Sequence, residues 1–207
     1  MVSFPLYSLV LASSSPRRSQ LLHGAGIPFT LAAAPWEEPP PTAHEERHPA
    51  LYVEKLARCK AESCDLAALP DLPAKPLVLT ADTVVWHGGK ILNKPQSETQ
   101  ARAMLKSLCG HTHQVLTGVC LRDGDAFFVA HETTYVSFFE RDDDWIARYV
   151  ATGEPMDKAG AYAAQGQGAF MLKRIDGDFS NVVGLPLGLL GRMLEERGVN
   201  YQDWWTN

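Results

Sequence analysis

Three short stretches of this chain bring together residue types that handle phosphate and metal. The first runs from Ser13 to Arg18, where three serines and Pro16 precede Arg17 and Arg18. Small residues at a helix start leave backbone N–H groups accessible, the helix dipole favours an anion there, and guanidinium forks match phosphate oxygens bidentately. That makes Ser13, Arg17 and Arg18 candidate phosphate ligands, while a capped surface helix with two solvated arginines is the alternative on this stretch alone. The second is Asp82, a carboxylate inside the otherwise apolar run Leu77 to Trp86. Burying a charge without a partner is costly, so Asp82 must meet a cation, a metal or a set of donors. Lys94, across the Gly88-Gly89 turn, is a candidate partner for Asp82 or a candidate phosphate ligand. The third is Glu37-Glu38 in a proline-rich segment. Together with Asp82, such oxygen ligands suit magnesium or manganese on a phosphorylated substrate; a solvated acidic pair is the alternative. The histidines, His111 and His113 among them, read as structural or exposed rather than as zinc ligands.

These groups need a scaffold, and the apolar pattern supplies one. Tyr7 to Leu11 reads as a strand that runs into Ser15 as N-cap and Pro16 as first helical residue. Leu21 and Leu22 give that helix a buried side, and Gly24 or Gly26 stops it. A strand near Pro28 to Ala32 leads into the stretch Pro35 to Pro49, where Pro39-Pro40-Pro41 predicts a loop or hinge. The spacing of Val53, Leu56, Ala57, Lys60 and Cys64 predicts a helix over about Ala50 to Leu66, with Lys60 beside the apolar stripe. Leu77 to Trp86, the Gly88-Gly89 turn and a return over Lys90 to Asn93 form a hairpin. A helix capped by Ser97 and closed by Gly110 comes next, then strands over His113 to Leu121 and Ala126 to Phe139. An amphipathic helix holds Trp145, Ile146, Tyr149 and Val150 and stops at Gly153. The glycine-rich stretch Gly153 to Gly168 reads as a binding loop or irregular sheet edge. A strand over Ala169 to Ile175 and a helix from Pro186 to about Arg197 complete the pattern. Hairpins mixed with helices predict an α/β fold with a mixed sheet flanked by helices, not a strictly alternating βαβ array.

Composition narrows the ligand. With 45% hydrophobic and 21% charged residues, the 207-residue chain is neither disordered nor fibrous. Its 19 Lys and Arg against 24 Asp and Glu leave a net charge of −5, and no basic tract is present. That balance argues against a nucleic-acid polymer, whose binding requires many neutralised phosphates; one small phosphorylated ligand needs only a few local cations. The four cysteines show no C-x-x-C spacing and predict reduced thiols in a cytoplasmic protein. No run of about 20 apolar residues suggests a membrane span.

Five motifs, in order, resemble the Maf family of nucleotide pyrophosphatases. They are LASSSPRR at Leu11 to Arg18, ADT at Ala81 to Thr83, LNKP at Leu92 to Pro95, GEPMDKAGAY at Gly153 to Tyr162 with Gln165-Gly166, and NVVGLP at Asn181 to Pro186. Any one is weak; five at compatible spacings, from Leu9 to about Gly198, are specific. The resemblance implies a single domain over residues 1–207 with a fold like that of inosine triphosphate pyrophosphatases, a bent mixed β-sheet flanked by helices with two lobes around a cleft. It implies a nucleoside triphosphate substrate cleaved between the α and β phosphates, with a divalent metal cation, Mg2+ or Mn2+, as cofactor. Matched onto the motifs, Asp82 is the general base, Glu38 and Asp82 surround the metal, and Ser13, Arg17, Arg18, Lys60 and Lys94 face the triphosphate. Arg17, Thr83 and Gln165 resemble the branch acting on dTTP and UTP, and the branch acting on 7-methylguanosine triphosphate differs at these places. Thr80 stands where the family more often has glycine. A homodimer, a preference for modified pyrimidine nucleotides and a nucleotide-sensing role in septum formation stay open. Asp82 favours turnover over sensing, since a sensor gains nothing from a water-activating carboxylate.

Overall fold

The computed structural model describes residues 7–69, 71 and 75–206. Four buried residues behind Ser8 make β1 (Ser8–Ala12), which passes through the serine turn into α1 (Pro16–Gly24). Pro16 occupies the first helical turn, where its missing N–H costs nothing, and Gly26 leaves the helix with a φ of +67°. β2 (Thr30–Ala32) starts two residues after Pro28. The proline-rich stretch is not loop throughout. Thr42 accepts from the Glu45 N–H, and the Glu45 carboxylate accepts from the Thr42 N–H, a reciprocal cap that opens α2 (Ala43–Arg47). A second helix-initial proline opens α3 (Pro49–Ser63), which buries Tyr52, Val53, Leu56, Ala57 and Ala61 and ends at Cys64.

The central strand β3 (Pro76–His87) turns at Gly88-Gly89 into β4 (Lys90–Leu92), followed by α4 (Glu98–Leu108), capped by the Ser97 hydroxyl. The hairpin of β5 (Thr112–Asp123) and β6 (Ala126–Phe138) leads to α5 (Asp143–Ala151). β7 (Leu172–Asp176) begins at Leu172, not Ala169, because Gly166–Met171 is wound into a 3-10 turn. The sequence pattern does not foresee α6 (Phe179–Val183), whose first N–H groups are capped by Asp178. The last α-helix, α7 (Leu187–Glu195), is followed by a 3-10 turn over Tyr201–Thr206. No described helix is long and apolar enough to cross a membrane.

Among the described residues the strands form one seven-stranded sheet in the order β2-β1-β3-β5-β6-β7, with β4 bonded to β3. β1 is parallel to β2 and β3, and the other pairings are antiparallel, so the sheet is mixed as the hairpin pattern predicts. β1 accompanies β3 only from Pro76 to Leu79, and β4 joins at Val85, whereas β5 pairs with β3 from Leu77 to Trp86. Thr80 to Val84 therefore have a strand on one side only. The gap lies beyond the C-terminal end of β1, where open α/β sheets characteristically bind ligands.

Alternation along β3 sends successive side chains to opposite faces. Toward α3, the Thr80 hydroxyl donates to the Ala57 carbonyl at 2.6 Å, and Val84 packs on Tyr52, Val53 and Leu56. The threonine at position 80 thus ties helix to strand. On the other face, Leu79 and Ala81 join a cluster with Leu22 of α1 and Leu190 and Leu194 of α7. Val85 joins a second cluster with Leu105, Leu108 and Ile146 from α4 and α5. A polar seam lies between these apolar clusters. Thr83 and Thr117 hydroxyls are 2.9 Å apart, Thr117 donates to the Asn181 carbonyl, and the fully buried Asn181 amide donates to the Val115 carbonyl and the Thr134 hydroxyl.

Candidate active site

A cavity of about 420 Å³ opens at the gap beside β3, and the first turn of α1, the middle of β3 and the Gly153–Gly168 stretch all reach it. Five cations line it, Arg17, Arg18, Lys60, Lys94 and Lys158, against three carboxylates, Glu38, Asp82 and Asp157. A chain with a net charge of −5 therefore carries a cationic cavity. Such a local excess suits a small polyanion.

Lys60 is the hinge of the charged cluster. Its amine contacts Asp82 Oδ1 and lies 3.9 Å from Glu38 Oε2, so α3 brings one cation between two carboxylates from β3 and the proline-rich stretch. Asp82 is only 5% exposed, as expected of a charge set in an apolar strand, and its partner is Lys60. Lys94 is not that partner: among the described residues it makes no hydrogen bond or ion pair and stands at the cavity wall. Glu38 is held by the Tyr52 hydroxyl, which donates to the Pro39 carbonyl at 2.7 Å and reaches Glu38 Oε1 at 3.3 Å. Burial and then the Asp82 charge raise the Glu38 pKa above its ordinary value, against the pull of Lys60, Tyr52 and Lys94.

Two converging carboxylates suffice for a metal that keeps waters and takes its other ligands from substrate phosphates, which is the usual habit of Mg2+. Glu38 and Asp82 fit that donor set, since both carboxylates reach the same ammonium, that of Lys60. Among the described residues no group of three or more His, Cys, Asp or Glu converges as a closed metal cage. One pair of histidines, in His44-Glu-Glu-Arg-His48, does have the H-E-x-x-H spacing of zinc hydrolases, against the reading that no such pattern is present. In the structure His48 lies at the end of α2 with non-helical backbone, and Glu45 is taken up by Thr42 and Lys55.

Arg18 is a fixed fork. Nε donates to the Gly184 carbonyl at 2.8 Å, Nη1 to the Ser13 hydroxyl at 3.1 Å and Nη2 to the Thr83 hydroxyl at 3.3 Å. Ser13 is thus placed differently from the expectation for it: its hydroxyl braces Arg18 and the Ser15 N–H, while Ser14 and Ser15 line the cavity. The Ser15 side chain makes no cap bond, which leaves the N–H groups at the start of α1, in residues that line the cavity, without a side-chain cap. Arg17 reaches Asp157 at 3.8 Å across that opening. Thr83 is nearly spent: because Thr117 donates to Asn181, the Thr83 proton goes to Thr117, and one oxygen lone pair already accepts from Arg18. It offers a ligand at most one further acceptor. Gln165 lines the cavity, is exposed, and its amide makes no hydrogen bond among the described residues.

The cavity also holds residues to which motif matching gave no role. Lys158 lines it with its amine bonded to the Glu154 carbonyl at 2.8 Å and to Asp157, and Asn93 and Gln96 flank Lys94. Lys158 lies inside the glycine-rich motif and Asn93 inside LNKP; Gln96 carries no such signal. Below the cavity, His113 Nε2 and the Tyr162 hydroxyl are 2.9 Å apart, and burial pushes the His113 pKa down to about 3. His113 is therefore a neutral part of the second apolar cluster.

A family model described as Maf-like protein matches residues 8–197. The dTTP/UTP pyrophosphatase of Symbiobacterium thermophilum is 46% identical over 193 residues, covering 93% of this chain and 95% of the relative. That of Ruminiclostridium cellulolyticum is 46% identical over 191 residues, covering 91% and 95%. That of Pelotomaculum thermopropionicum is 46% identical over 194 residues, covering 93% and 97%. A family model over residues 8–197, together with relatives of this identity over nearly the whole chain, leaves one assignment: the chain belongs to the family of Maf-like proteins.

Proposed function

We propose that the chain hydrolyses dTTP and UTP to the monophosphate and pyrophosphate. The observation that carries this reading is the meeting of five cations with the Glu38 and Asp82 carboxylates in one cavity. Relatives that match nearly the whole chain are named dTTP/UTP pyrophosphatases, which supports the same substrates here.

The residues divide the work. Arg17, Arg18, Lys94 and the open N–H groups of α1 bind the phosphate chain and stabilise charge that builds on the leaving pyrophosphate. Asp82 takes a proton from water, the water oxygen bonds to the α phosphorus, and the bond to the bridging oxygen breaks, leaving its electron pair on pyrophosphate. Lys60 holds Asp82 and Glu38 in place for this, and its position in the cavity also lets it face phosphate. A divalent cation, Mg2+ or Mn2+, held by Glu38 and Asp82 would neutralise phosphate charge that otherwise repels the incoming oxygen. Work on cellular nucleotides fits a cytoplasmic protein, and all four cysteines are free thiols.

Base choice falls to Gln165. A carboxamide with its NH2 toward O4 and its oxygen toward N3–H pairs with uracil or thymine; cytosine presents the opposite pair, an amino donor and the N3 acceptor, and demands the amide turned over. Arg17 and Thr83 border the same opening, Thr83 with its remaining acceptor. Each unmet buried group costs about 1–3 kcal/mol, or roughly ten- to hundredfold in selection. The test is kcat/KM for UTP, dTTP and CTP in wild type and Gln165→Ala. UTP and dTTP should run together well ahead of CTP, and the variant should lose the gap. An unchanged UTP-to-CTP ratio removes Gln165 from base recognition.

A further inference from the structure

The amide of Gln165 makes no bond to another described residue, so the backbone that carries it sets where it can reach the base. The fixing point is a carboxylate outside the cavity wall. Glu154 Oε2 accepts from the Gln167 N–H at 3.0 Å, and Oε1 accepts from the Gly168 N–H and the Tyr149 hydroxyl, both at 2.9 Å. The Tyr149 oxygen accepts in turn from the Ala163 N–H at 3.2 Å. Backbone on both sides of Gln165 is thus tied to one side chain, while Ala163, Ala164 and Gln165 themselves line the cavity.

Two glycines make this approach feasible. A Cβ at Gly166, whose φ is +78°, would lie 2.6 Å from Glu154 Oε2. A Cβ at Gly168 would lie 2.4 Å from the Ala163 carbonyl and 2.6 Å from the Tyr149 hydroxyl. The carboxylate is suited to its task. Burial raises its pKa, but the Gly168 and Gln167 N–H groups, Tyr149 and Lys158 outweigh burial and hold it below the ordinary value. Three donors aimed at one carboxylate make a rigid anchor, since charge-assisted bonds are the stronger kind.

We propose that Glu154 is a positioning residue for base selection, holding the Gln165 loop through Gln167, Gly168 and Tyr149 so that the amide meets the pyrimidine edge. The proposal rests on the reading of Gln165 as the base-contacting group. It sets Glu154 apart from the phosphate clamp, which touches none of these bonds.

The experiment is a four-way comparison of wild type, Glu154→Gln, Gln165→Ala and the double variant, with KM and kcat for UTP and CTP. Glu154→Gln keeps the shape but puts a donor where an N–H already points, so the loop loses at least one bond. The expected result is a fall of about tenfold in the UTP-to-CTP ratio of kcat/KM, the scale of one lost bond, carried by KM for UTP while kcat stays within about threefold. The double variant should show the same ratio as Gln165→Ala alone, because residues that act through one another are not additive. Glu154→Gln with the wild-type ratio, whatever its melting temperature, overturns the proposal, and so does a double variant whose ratio falls below that of Gln165→Ala. Should Glu154→Gln fail to fold, Tyr149→Phe carries the same comparison, with a smaller shift in the same direction expected and no shift contradicting it. A wild-type protein that does not distinguish UTP from CTP overturns the base reading itself, and the Glu154 proposal with it. Preference kept by Glu154→Gln overturns the proposal alone.

Discussion

Asp82 and Gly118 stand opposite each other in the β3–β5 ladder, and the missing side chain at 118 is what lets α3 lie against the sheet at that level. A Cβ there would sit 2.2 Å from the Val53 carbonyl oxygen and 2.8 Å from the Glu54 nitrogen, both backbone atoms that cannot swing aside. Lys60 rides on the same helix, two turns further on, so the glycine sets how close Lys60 comes to Asp82. Gly118→Ala is expected to lower unfolding free energy by about 3 kcal/mol, the upper range for overpacking. It should also weaken the Lys60–Asp82 contact and so lower turnover. A urea midpoint equal to wild type would show that α3 does not press on this position.

Asp82→Asn removes the carboxylate proposed as proton acceptor and keeps the volume. Turnover should fall about 10²-fold or more, the scale of a lost positioned base, with the circular dichroism spectrum retained. A folded variant with near-wild-type turnover would make Asp82 structural and leave Glu38 as the first candidate base.

Lys94 and Arg18, two of the cations that line the cavity, should separate by what else they hold. Lys94 is exposed and makes no hydrogen bond or ion pair among the described residues, so Lys94→Ala should leave stability within about 0.5 kcal/mol while raising KM for UTP roughly tenfold. Arg18 makes three bonds that join α1, β3 and the Gly184 turn. Arg18→Lys keeps the charge but not the fork, and should raise KM and lower the melting temperature together. An unchanged KM for Lys94→Ala would put that lysine outside the phosphate site.

His113 gives the fold a defined acid weakness. Its folded pKa, pushed down to about 3 by burial, lies below the ordinary 6.5. The unfolded chain takes up a proton that the folded chain refuses, so this contribution is complete above 6.5 and is lost as pH falls toward 3. The expected slope is about 1.4 kcal/mol per pH unit. Urea unfolding between about pH 6.5 and 5, above the range where most carboxylates titrate, isolates it. His113→Gln, which keeps a polar partner for Tyr162, should flatten the slope, and equal slopes in the two proteins would contradict the assignment.

The regular elements were legible because each left a periodic or capping signal: the stripe on α3, the apolar run of β3, the Ser97 cap of α4. Failures came where local chemistry outweighed pattern. The Thr42–Glu45 cap builds α2 inside a proline-rich stretch, and Asp178 builds a five-residue helix too short for a periodicity to show. Gly166–Met171 turns rather than extends because Glu154 gathers its N–H groups, a contact across 13 residues of chain that no local pattern displays. At the site, the charged residue types singled out in the sequence gather in one cavity, and Lys60 and Glu38, which come from alignment between the motifs, lie beside Asp82 there. What stayed hidden was how hydroxyls are spent. Thr83 lends its proton to Thr117, and Ser13 is consumed by Arg18, facts fixed by partners far apart in sequence.

The central claim is that this cavity splits UTP between its α and β phosphates with the help of a divalent cation. Chromatography of a UTP reaction with magnesium measures it most directly. UMP and pyrophosphate should appear in equal amounts, and exhaustive chelation should stop the reaction until metal is restored. UDP with orthophosphate, or product formation that survives chelation, would contradict the account.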